Sequence, residues 1–391
     1  MLQGFATAIG TLEYSRRYPA LPYQMLGRTG LAVSGAGFGS YRVDDGILGH
    51  RQAFAEALRS GINLVDTSAN YADGGAERLI GNVLNELATQ GEVRRDEMIV
   101  VSKGGYLQGE NYRLSQQRQR EGRPFPELVP YGEGLEHCIH PRFLAEQISS
   151  SLERLKLDTI DCYLLHNPEY YLMWANKQHL SRAKAQGEYW RRIREAFLYL
   201  EEEVVKGRIR WYGISSNTFV RPQRDYAFTS LTKAWETAAS LGSSHHFGVV
   251  EFPFNLFEAE AILEANQPGG ESVLEFAREK ELAVLINRPF NAIQGNDLIR
   301  LADNVYQDQG AENAAAFRKQ IAALDQEWED ASTLTHLALR ALRSTKGVSS
   351  VLVGMRHTSY VEDVLKELRR PCVAADRRTV WEKVRGIVAA R

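Results

Sequence analysis

Eight short apolar segments, most of them followed by a helical segment, constrain the fold of this 391-residue chain more than any other feature. Each is rich in β-branched residues, as buried strands are. The predicted strands are residues 32–40, 62–68, 98–103, 159–166, 209–215, 248–254, 282–287 and 348–354. Strands that alternate with helices form parallel sheets buried on both faces, and eight such strands favour closure. The pattern therefore predicts an α/β fold, a TIM (β/α)8 barrel.

A glycine-rich segment tests the main alternative, an open doubly wound sheet. Such a sheet commonly opens its first helix with GxGxxG, and an acidic residue follows about 20 residues later. Here GAGFGS (35–40) precedes Tyr41, and the next predicted helix begins only near His50. The glycines therefore indicate a strand end that needs close backbone approach, and the closed barrel is favoured.

Three stretches of the sequence are longer than barrel loops require. Residues 106–140 are polar with Gly and Pro, residues 168–190 are rich in Tyr, Trp, Lys and Arg, and residues 291–312 are acidic and amide-rich. All three follow predicted strands, so we expect them on the C-terminal face, where the active sites of such barrels lie. We predict one domain, residues 1–391, with these three insertions.

Composition narrows the class of partner. The formal net charge of -2 gives no electrostatic reason to expect nucleic acid or an anionic membrane. We expect neither a membrane span nor a secretory signal, because no apolar run approaches about 18 residues and no basic segment precedes one. Cys138, Cys162 and Cys372 form no disulfide framework, which predicts a cytoplasmic location. No His, Cys, Asp or Glu spacing suggests a metal site.

Four titratable residues fall at informative positions. Asp66, Lys103 and His166 close the runs INLVD, MIVVSK and IDCYLLH, and Tyr71 follows Asp66 by five residues. Each alone has an ordinary explanation as a helix cap, a surface charge or a packing residue. Because parallel barrel strands end at one rim, however, all four would meet at the same mouth. We interpret them as a catalytic group.

The chemistry of carbonyl reduction accounts for this set. Hydride delivery to a carbonyl carbon builds negative charge on oxygen, which needs a proton donor. A cationic Lys103 would lower the pKa of the Tyr71 phenol, and Asp66 would hold the lysine charged. His166 could donate a hydrogen bond to the carbonyl oxygen. Since no side chain carries a hydride, a nicotinamide cofactor must supply it.

Five segments, interrupted by the insertions, resemble the aldo-keto reductase superfamily over roughly residues 22–370. They are LGRTGLAVSGAGFGS (26–40), GINLVDTSANYADGGAERLIG (61–81), VVSKGG around Lys103, DTIDCYLLHNPE around His166 and GRIRWYGISSN (207–217). The resemblance implies a TIM barrel that binds NADP(H) or NAD(H) in an extended conformation. It also implies Tyr71 as general acid and base, supported by Asp66, Lys103 and His166. The cofactor contacts that it implies are Gly39, Ser40, Asp66, Ser215, Ser216, Glu251, Asn287, Arg288, Pro289, Phe290, Gly354 and Arg356.

The implied nicotinamide end departs from the family pattern. Ser216 stands where many members have Asn, Glu251 replaces a usual Gln, and Phe254 replaces a usual Tyr. Asn287 stands where many members carry a stacking Tyr or an Arg. A carboxylate at 251 can accept the protons of a carboxamide but cannot donate to its oxygen unless it is protonated. Arg288 could form a bidentate pair with a phosphate.

The implied adenosine end favours NADP(H) over NAD(H). Arg356 is the candidate contact for a 2'-phosphate, although Gly354 replaces a common Lys and Tyr360 a usual Arg.

The sequence thus predicts an NAD(P)H-dependent oxidoreductase that reduces an aldehyde or ketone, with Tyr71 as proton donor and a small carbonyl compound or sugar as substrate. Two alternatives stay open. The first is an NAD(P)-dependent aldose dehydrogenase, and the second is a cofactor-binding regulatory subunit that acts as a redox sensor. The aromatic residues of 170–174 could line a substrate pocket or form the core of their insertion.

Overall fold

A computed structural model describes residues 1–294, 297–301 and 311–390 of the chain. The strands are β1 (Tyr23–Met25), β2 (Ala32–Ser34), β3 (Ala36–Gly39), β4 (Leu64–Asp66), β5 (Ile99–Gly104), β6 (Tyr106–Leu107), β7 (Val129–Gly132), β8 (Leu135–His137), β9 (Ile160–His166), β10 (Ile209–Ser215), β11 (Phe247–Pro253), β12 (Ala283–Asn287), β13 (Asn291–Gln294), β14 (Asp297–Arg300) and β15 (Ser350–Val353). The helices are α1 (Ala8–Arg17), α2 (Leu48–Arg59), α3 (Gly75–Thr89), α4 (Gly109–Arg120), α5 (Pro141–Leu155), α6 (Tyr170–Lys177), α7 (Arg182–Val205), α8 (Leu231–Ala239), α9 (Glu260–Leu263), α10 (Val273–Glu279), α11 (Ala311–Ala322), α12 (Leu334–Arg343), α13 (Thr358–Leu368) and α14 (Arg378–Ala389).

Eight of these strands form a closed barrel in the order β3-β4-β5-β9-β10-β11-β12-β15, with β15 paired to β3. Every neighbouring pair is parallel. Each predicted strand overlaps one strand of the barrel, and helices connect them. The predicted TIM (β/α)8 barrel is confirmed.

The first predicted strand differs from the prediction because residues 32–40 form two strands. β2 pairs antiparallel with β1 in a hairpin, whereas β3 enters the barrel. Gly35 lies between them, and its N–H donates to the carbonyl of Pro22. The hairpin tip packs against the start of β12, where the Arg28 N–H donates to the Glu281 carbonyl. The alternation of apolar and polar residues cannot show that one apolar run pairs with a different neighbouring strand in each of its halves.

Alternate residues of the strands fill the inside of the barrel. One buried apolar cluster joins Leu64, Ile99, Val101, Cys162, Leu164, Val249, Ala283, Leu285 and Leu352 to the hairpin residues Leu26, Leu31 and Val33. A second, larger cluster fills the space between the barrel and the surrounding helices. The hairpin therefore closes the N-terminal end of the barrel, which leaves the C-terminal end for function.

The helices begin and end at residues with clear local causes. The Thr333 side chain caps the N-terminus of α12, and Ser272 with Glu275 forms a capping box on α10. α5 carries Pro141 at its start and ends at Lys156 in the left-handed conformation.

All three predicted insertions follow barrel strands. Residues 106–140 contain α4 and a small antiparallel sheet of β6, β8 and β7. Residues 168–190 contain α6 and the first turns of α7. The third insertion includes the β13–β14 hairpin, but residues 295–296 and 302–310 lie outside the described residues. That the chain forms one domain stays a prediction.

In the described part of the chain, we find no helix with the length and apolar character needed to cross a membrane.

Close backbone packing in the barrel predicts a large cost for one methyl group. A Cβ atom at Gly213 of β10 would lie 1.6 Å from the carbonyl oxygen of Val249. We expect Gly213→Ala to lower the free energy of unfolding by about 3–5 kcal/mol. Gly187→Ala is the control, because Gly187 is exposed in α7 with open space around its Cβ position. There alanine should raise stability by about 0.5–1 kcal/mol. Urea denaturation followed by circular dichroism measures both, and equal midpoints would contradict this packing.

Candidate active site

The inward-facing rows of the barrel end in polar residues at its C-terminal rim. Leu64 is followed two positions later by Asp66, and Val101 by Lys103. The same spacing of two residues separates Leu164 from His166, Gly213 from Ser215, Val249 from Glu251, and Leu285 from Asn287. Because side chains alternate along a strand, residues two apart point to the same side. The hydrophobic interior is thus topped by a polar layer contributed by six strands.

Lys103 is the centre of this layer. Its Nζ lies 2.5 Å from Asp66 Oδ1 and 2.8 Å from Glu251 Oε2, and its side chain has no exposed surface. Asp66 and Glu251 are also buried, at 4% and 3% exposure. A buried ammonium is tolerated only when it is paired and hydrogen bonded. These three residues form a buried ionic cluster across β4, β5 and β11.

The two carboxylates control the charge of the lysine. Burial lowers the pKa of Lys103, but the charges of Asp66 and Glu251 outweigh that effect and raise the pKa above its usual value. Lys103 is therefore cationic at neutral pH. Burial raises the pKa of Asp66 to about 8, with Lys103 opposing the rise and Glu251 adding to it. Two carboxylates that share one ammonium cannot both ionise as easily as a single one.

Tyr71 lies over this cluster. The Lys103 Nζ is 5.5 Å from the centre of the Tyr71 ring, and the His166 ring packs edge-on at 5.8 Å between ring centres. Burial raises the pKa of Tyr71, whereas the charge and hydrogen bonding of Lys103 lower it, and burial has the larger effect. The predicted influence of Lys103 thus has the expected direction, but the net pKa lies above the ordinary value. The phenol keeps its proton at neutral pH.

The loop that carries Tyr71 is strained and is held by the first insertion. Ala72 and Asp73 have φ angles of 48° and 52°, a left-handed conformation that is costly for residues other than glycine. The Asp73 carboxylate accepts from the Glu110 N–H at 3.0 Å, at the start of α4. Asn70 donates to Gln108 Oε1 at 2.9 Å. Contacts with residues 108–110 therefore fix a loop that would not hold this shape alone.

His166 is buried and neutral. Burial, the charge of Lys103 and the nearby His137 together lower its pKa well below the usual value. The Ser68 Oγ lies 2.9 Å from His166 Nδ1 and 2.7 Å from Asn70 Oδ1, and its one proton can be donated to either of them. A chain of polar contacts therefore runs from Gln108 through Asn70 and Ser68 to the histidine ring.

Aromatic residues from the first and second insertions form a group beside His166. The sequence did not single most of them out. Tyr106 packs edge-on against His166 at 4.6 Å and contacts Tyr170 at 5.1 Å. His137 stacks on Tyr170 at 5.6 Å, and its Nε2 is 2.8 Å from the His166 carbonyl. The position of Tyr106, three residues after Lys103, was a usable signal. The approach of His137 depends on the fold of the insertion and left none.

Residues 170–174 divide between the two roles that the sequence left open. Tyr170 joins the aromatic group beside His166 and also contacts Tyr131 at 4.5 Å. Tyr171 is buried in the core and lies under the Arg192 guanidinium, and Trp174 packs against it. One of these aromatics faces the site, and the others support the insertion.

The implied nicotinamide site is only partly assembled from the predicted residues. Glu251 Oε1 accepts from Ser215 Oγ at 3.0 Å and from Asn287 Nδ2 at 2.9 Å. The Asn287 Oδ1 is buried and has no hydrogen-bond partner among the described residues. An unpaired buried acceptor is unfavourable and suits a ligand that donates N–H, such as a carboxamide. Ser216, in contrast, bonds within its own loop to Thr218 at 3.2 Å.

The other predicted cofactor residues lie around the rim. Ser40 donates to the Asp66 carbonyl at 2.8 Å, and a Cβ at Gly39 would lie in van der Waals contact with the Val353 backbone, at 3.4 Å. Arg288 has a φ of 51° and pairs with Glu258 at 3.2 Å. Its Nε is buried without a partner in the described ranges. Burial disfavours the charged guanidinium of Arg288 and lowers its pKa. A bound anion would stabilise this charge.

The remaining four lie further along the rim. Pro289 is buried, and Phe290 packs partly buried against the main core. Gly354 is exposed with open space around it, and Arg356 is half-buried after β15. Arg356 forms no ion pair with any residue that the structure describes. Burial lowers the pKa of the nearby His50, and the charge of Arg356 lowers it further.

Over residues 1–294, 297–301 and 311–390, no group of three or more His, Cys, Asp or Glu side chains is arranged to hold a metal ion.

Comparison with known proteins identifies the family. The model of the aldo/keto reductase family matches residues 50–384. Aldo-keto reductase YhdN of Bacillus subtilis is 23% identical over 365 residues, which cover 88% of this chain and 87% of that protein. L-galactose dehydrogenase of Arabidopsis thaliana is 25% identical over 352 residues, which cover 86% of this chain and 85% of that protein.

Solved structures agree on the fold. The holo form of aldo-keto reductase AKR11C1 from Bacillus halodurans aligns with a TM-score of 0.58 at 20% identity, over 93% of this chain and 96% of that one. Since the family model spans most of the sequence and the barrel agrees, this chain belongs to the aldo/keto reductase family and is an NAD(P)-dependent oxidoreductase that acts on carbonyl compounds.

Proposed function

We propose that this protein reduces a small aldehyde or ketone to an alcohol, with Tyr71 as the proton donor. The observation that carries the proposal is the protonated Tyr71 phenol, buried between a cationic Lys103 and a neutral His166. A bound NAD(P)H would supply the hydride. The substrate oxygen would lie near the Tyr71 hydroxyl and His166, where the developing negative charge can be met by two donors.

Each residue of the group then has a separate task. Tyr71 gives its proton to the substrate oxygen as the carbonyl is reduced. Lys103 stabilises the phenolate that is left, and Asp66 and Glu251 hold the ammonium in place. When the Ser68 hydroxyl donates to His166 Nδ1, the neutral ring carries its proton on Nε2, which can then donate to the substrate oxygen.

The pKa of Tyr71 also bears on reaction direction. Oxidation of an alcohol needs the phenolate as base, whereas reduction needs the phenol as acid. A pKa raised by burial keeps the acid form dominant at neutral pH. The resting phenol is thus ready for the reductive direction that we propose, whereas a sugar dehydrogenase would first have to lose this proton. The alternative keeps one supporting observation, the similarity to L-galactose dehydrogenase over 86% of the chain. A regulatory redox sensor would not need this proton donor.

We propose that Ser215, Glu251 and Asn287 hold the nicotinamide carboxamide and that Arg288 contacts the phosphates. The unpaired Asn287 Oδ1 and Arg288 Nε support these two assignments. Gly39, Ser40, Ser216, Pro289, Phe290 and Gly354 remain predicted contacts. We further propose a preference for NADP(H) through Arg356, and a cytoplasmic location, which the three free cysteines support.

The substrate site suits a compact carbonyl compound with hydroxyl groups. Tyr106 and Tyr170 offer aromatic faces, and Asn167, which bonds to the Tyr106 hydroxyl at 2.7 Å, offers an amide. Such a mixture of rings and polar groups is what a sugar or hydroxyaldehyde contacts.

Removal of the Tyr71 hydroxyl tests the proton donor. We expect Tyr71→Phe to bind NADPH normally and to reduce aldehydes at least about 100-fold more slowly, because the transferred proton is gone. Tyr41→Phe is the control, since Tyr41 packs edge-on against Tyr71 but is 69% exposed. It should change turnover by less than about threefold. NADPH fluorescence titration and steady-state oxidation of NADPH measure the two effects. Full activity in Tyr71→Phe would rule the mechanism out.

Release of the strained loop tests the role of the first insertion. Asp73→Ala removes the acceptor for the Glu110 N–H, so the loop that carries Tyr71 should be less restrained and sample more conformations. We expect kcat to fall about tenfold, with the Kd for NADPH within about twofold of wild type. Glu110→Gln keeps the backbone N–H and serves as the control. A kcat unchanged in Asp73→Ala would show that the insertion does not position Tyr71.

Cofactor preference depends in this account on Arg356. Arg356→Ala should weaken NADPH binding by about tenfold and leave NADH binding within about twofold, because only NADPH carries the 2'-phosphate. Isothermal titration calorimetry measures all four values. Equal loss of affinity for both nucleotides would contradict a 2'-phosphate contact.

A further inference from the structure

The buried ionic cluster contains more acid than base. Asp66 and Glu251 both contact Lys103, the one cation in direct contact with either carboxylate among the described residues. The other partners of Glu251, Ser215 and Asn287, are neutral. Tyr71 is neutral because burial raises its pKa, and His166 because burial lowers its own. The two carboxylates can thus carry two negative charges against the one positive charge of Lys103, and the rise of the pKa of Asp66 to about 8, caused by burial and increased by Glu251, shows that the excess is unfavourable.

This charge cannot be relieved by water or by rotation of the side chain. Glu251 is 3% exposed, and both of its oxygens are engaged, Oε2 by Lys103 and Oε1 by Ser215 and Asn287. Contacts from three strands besides its own, β5, β10 and β12, thus fix the carboxylate. An uncompensated charge in such a place is costly, so the cluster favours a further cation or a proton.

A nicotinamide ring is cationic when oxidised and neutral when reduced. The two forms share their phosphates and ribose, so a charge near the ring distinguishes them and a charge near the phosphates does not. A single buried charge acts strongly on its neighbours because the surrounding dielectric is low.

We propose that Glu251 supplies a buried negative charge that favours the oxidised over the reduced cofactor, so that the protein binds NAD(P)+ more tightly, relative to NAD(P)H, than it would with an amide at this position. The inference rests on the proposed function, because it needs the nicotinamide to lie at the ends of β10, β11 and β12. Its consequence is that hydride transfer to the substrate is favoured on the protein, whereas release of the oxidised cofactor is retarded.

The test is the ratio of two dissociation constants, Kd for NADP+ divided by Kd for NADPH, measured by isothermal titration calorimetry at pH 7. In Glu251→Gln we expect this ratio to rise by about tenfold or more, because the charge is removed while the size of the side chain is kept. A ratio within about twofold of wild type would overturn the proposal.

Glu258→Gln is the matched control. Glu258 pairs with Arg288, in the region proposed for the phosphates, so its loss should alter both affinities equally and leave the ratio unchanged. A ratio that rises as much in Glu258→Gln as in Glu251→Gln would overturn the specific role of Glu251.

Wild-type protein gives a test that does not depend on the folding of a variant. It should bind both NADP+ and NADPH, and its ratio is the reference for the two variants. If neither form of NADP or of NAD binds to wild type, the proposed function fails as well. If both bind and only the ratio disagrees, the proposed function stands and the role of Glu251 falls.

Discussion

The ammonium of Lys103, enclosed between Asp66 and Glu251, is the interaction on which the rest of the site depends. An isolated charge in this position would be expelled or neutralised, and the two adjacent carboxylates keep the lysine cationic. One carboxylate comes from β4, the neighbour of β5, and the other from β11, which lies three strands away in the closed barrel. Barrel closure is therefore what makes the cluster possible, and the cluster in turn sets the environment of Tyr71.

The barrel and most of this cluster follow from local patterns. Strand ends at Asp66, Lys103 and His166 are visible because apolar runs stop at a polar residue, and parallel strands then bring those ends to one rim. Tyr71 could be included because its loop follows the first of them. The family resemblance placed Glu251 near the cofactor, but it did not predict the contact of Glu251 with Lys103. That contact depends on the register across the barrel, which a single sequence does not carry.

Other features could not be predicted for identifiable reasons. Residues 32–40 form one apolar run in sequence but two strands, since Ser34 ends a hairpin and Ala36 begins the barrel. His137 reaches the carbonyl of His166 only through the fold of a polar insertion. The net pKa of Tyr71 depends on a balance between burial and the charge of Lys103, and its outcome requires the three-dimensional surroundings. Strain at Ala72 and Asp73 likewise has no signature in residue types.

The first insertion thus does more than decorate the barrel. It provides the acceptor and donor groups that hold the Tyr71 loop, and it supplies Tyr106 and His137 next to His166. Variation in this segment would change which substrate fits while the ionic cluster beneath stays the same. Separation of a fixed proton donor from a variable wall is consistent with a barrel whose rim loops carry specificity.

Transfer of deuterium from NADPH labelled at C4 of the nicotinamide to the carbinol carbon of an alcohol product tests the central claim most directly. In H2O, mass spectrometry of the alcohol made from an aldehyde should find one deuterium on the carbinol carbon when the label is on the transferred face of the nicotinamide. With unlabelled NADPH in D2O, it should find none on that carbon. This result would establish that the protein transfers a hydride from the cofactor to the carbonyl carbon. NADPH that binds but delivers no deuterium to any aldehyde or ketone would contradict the account.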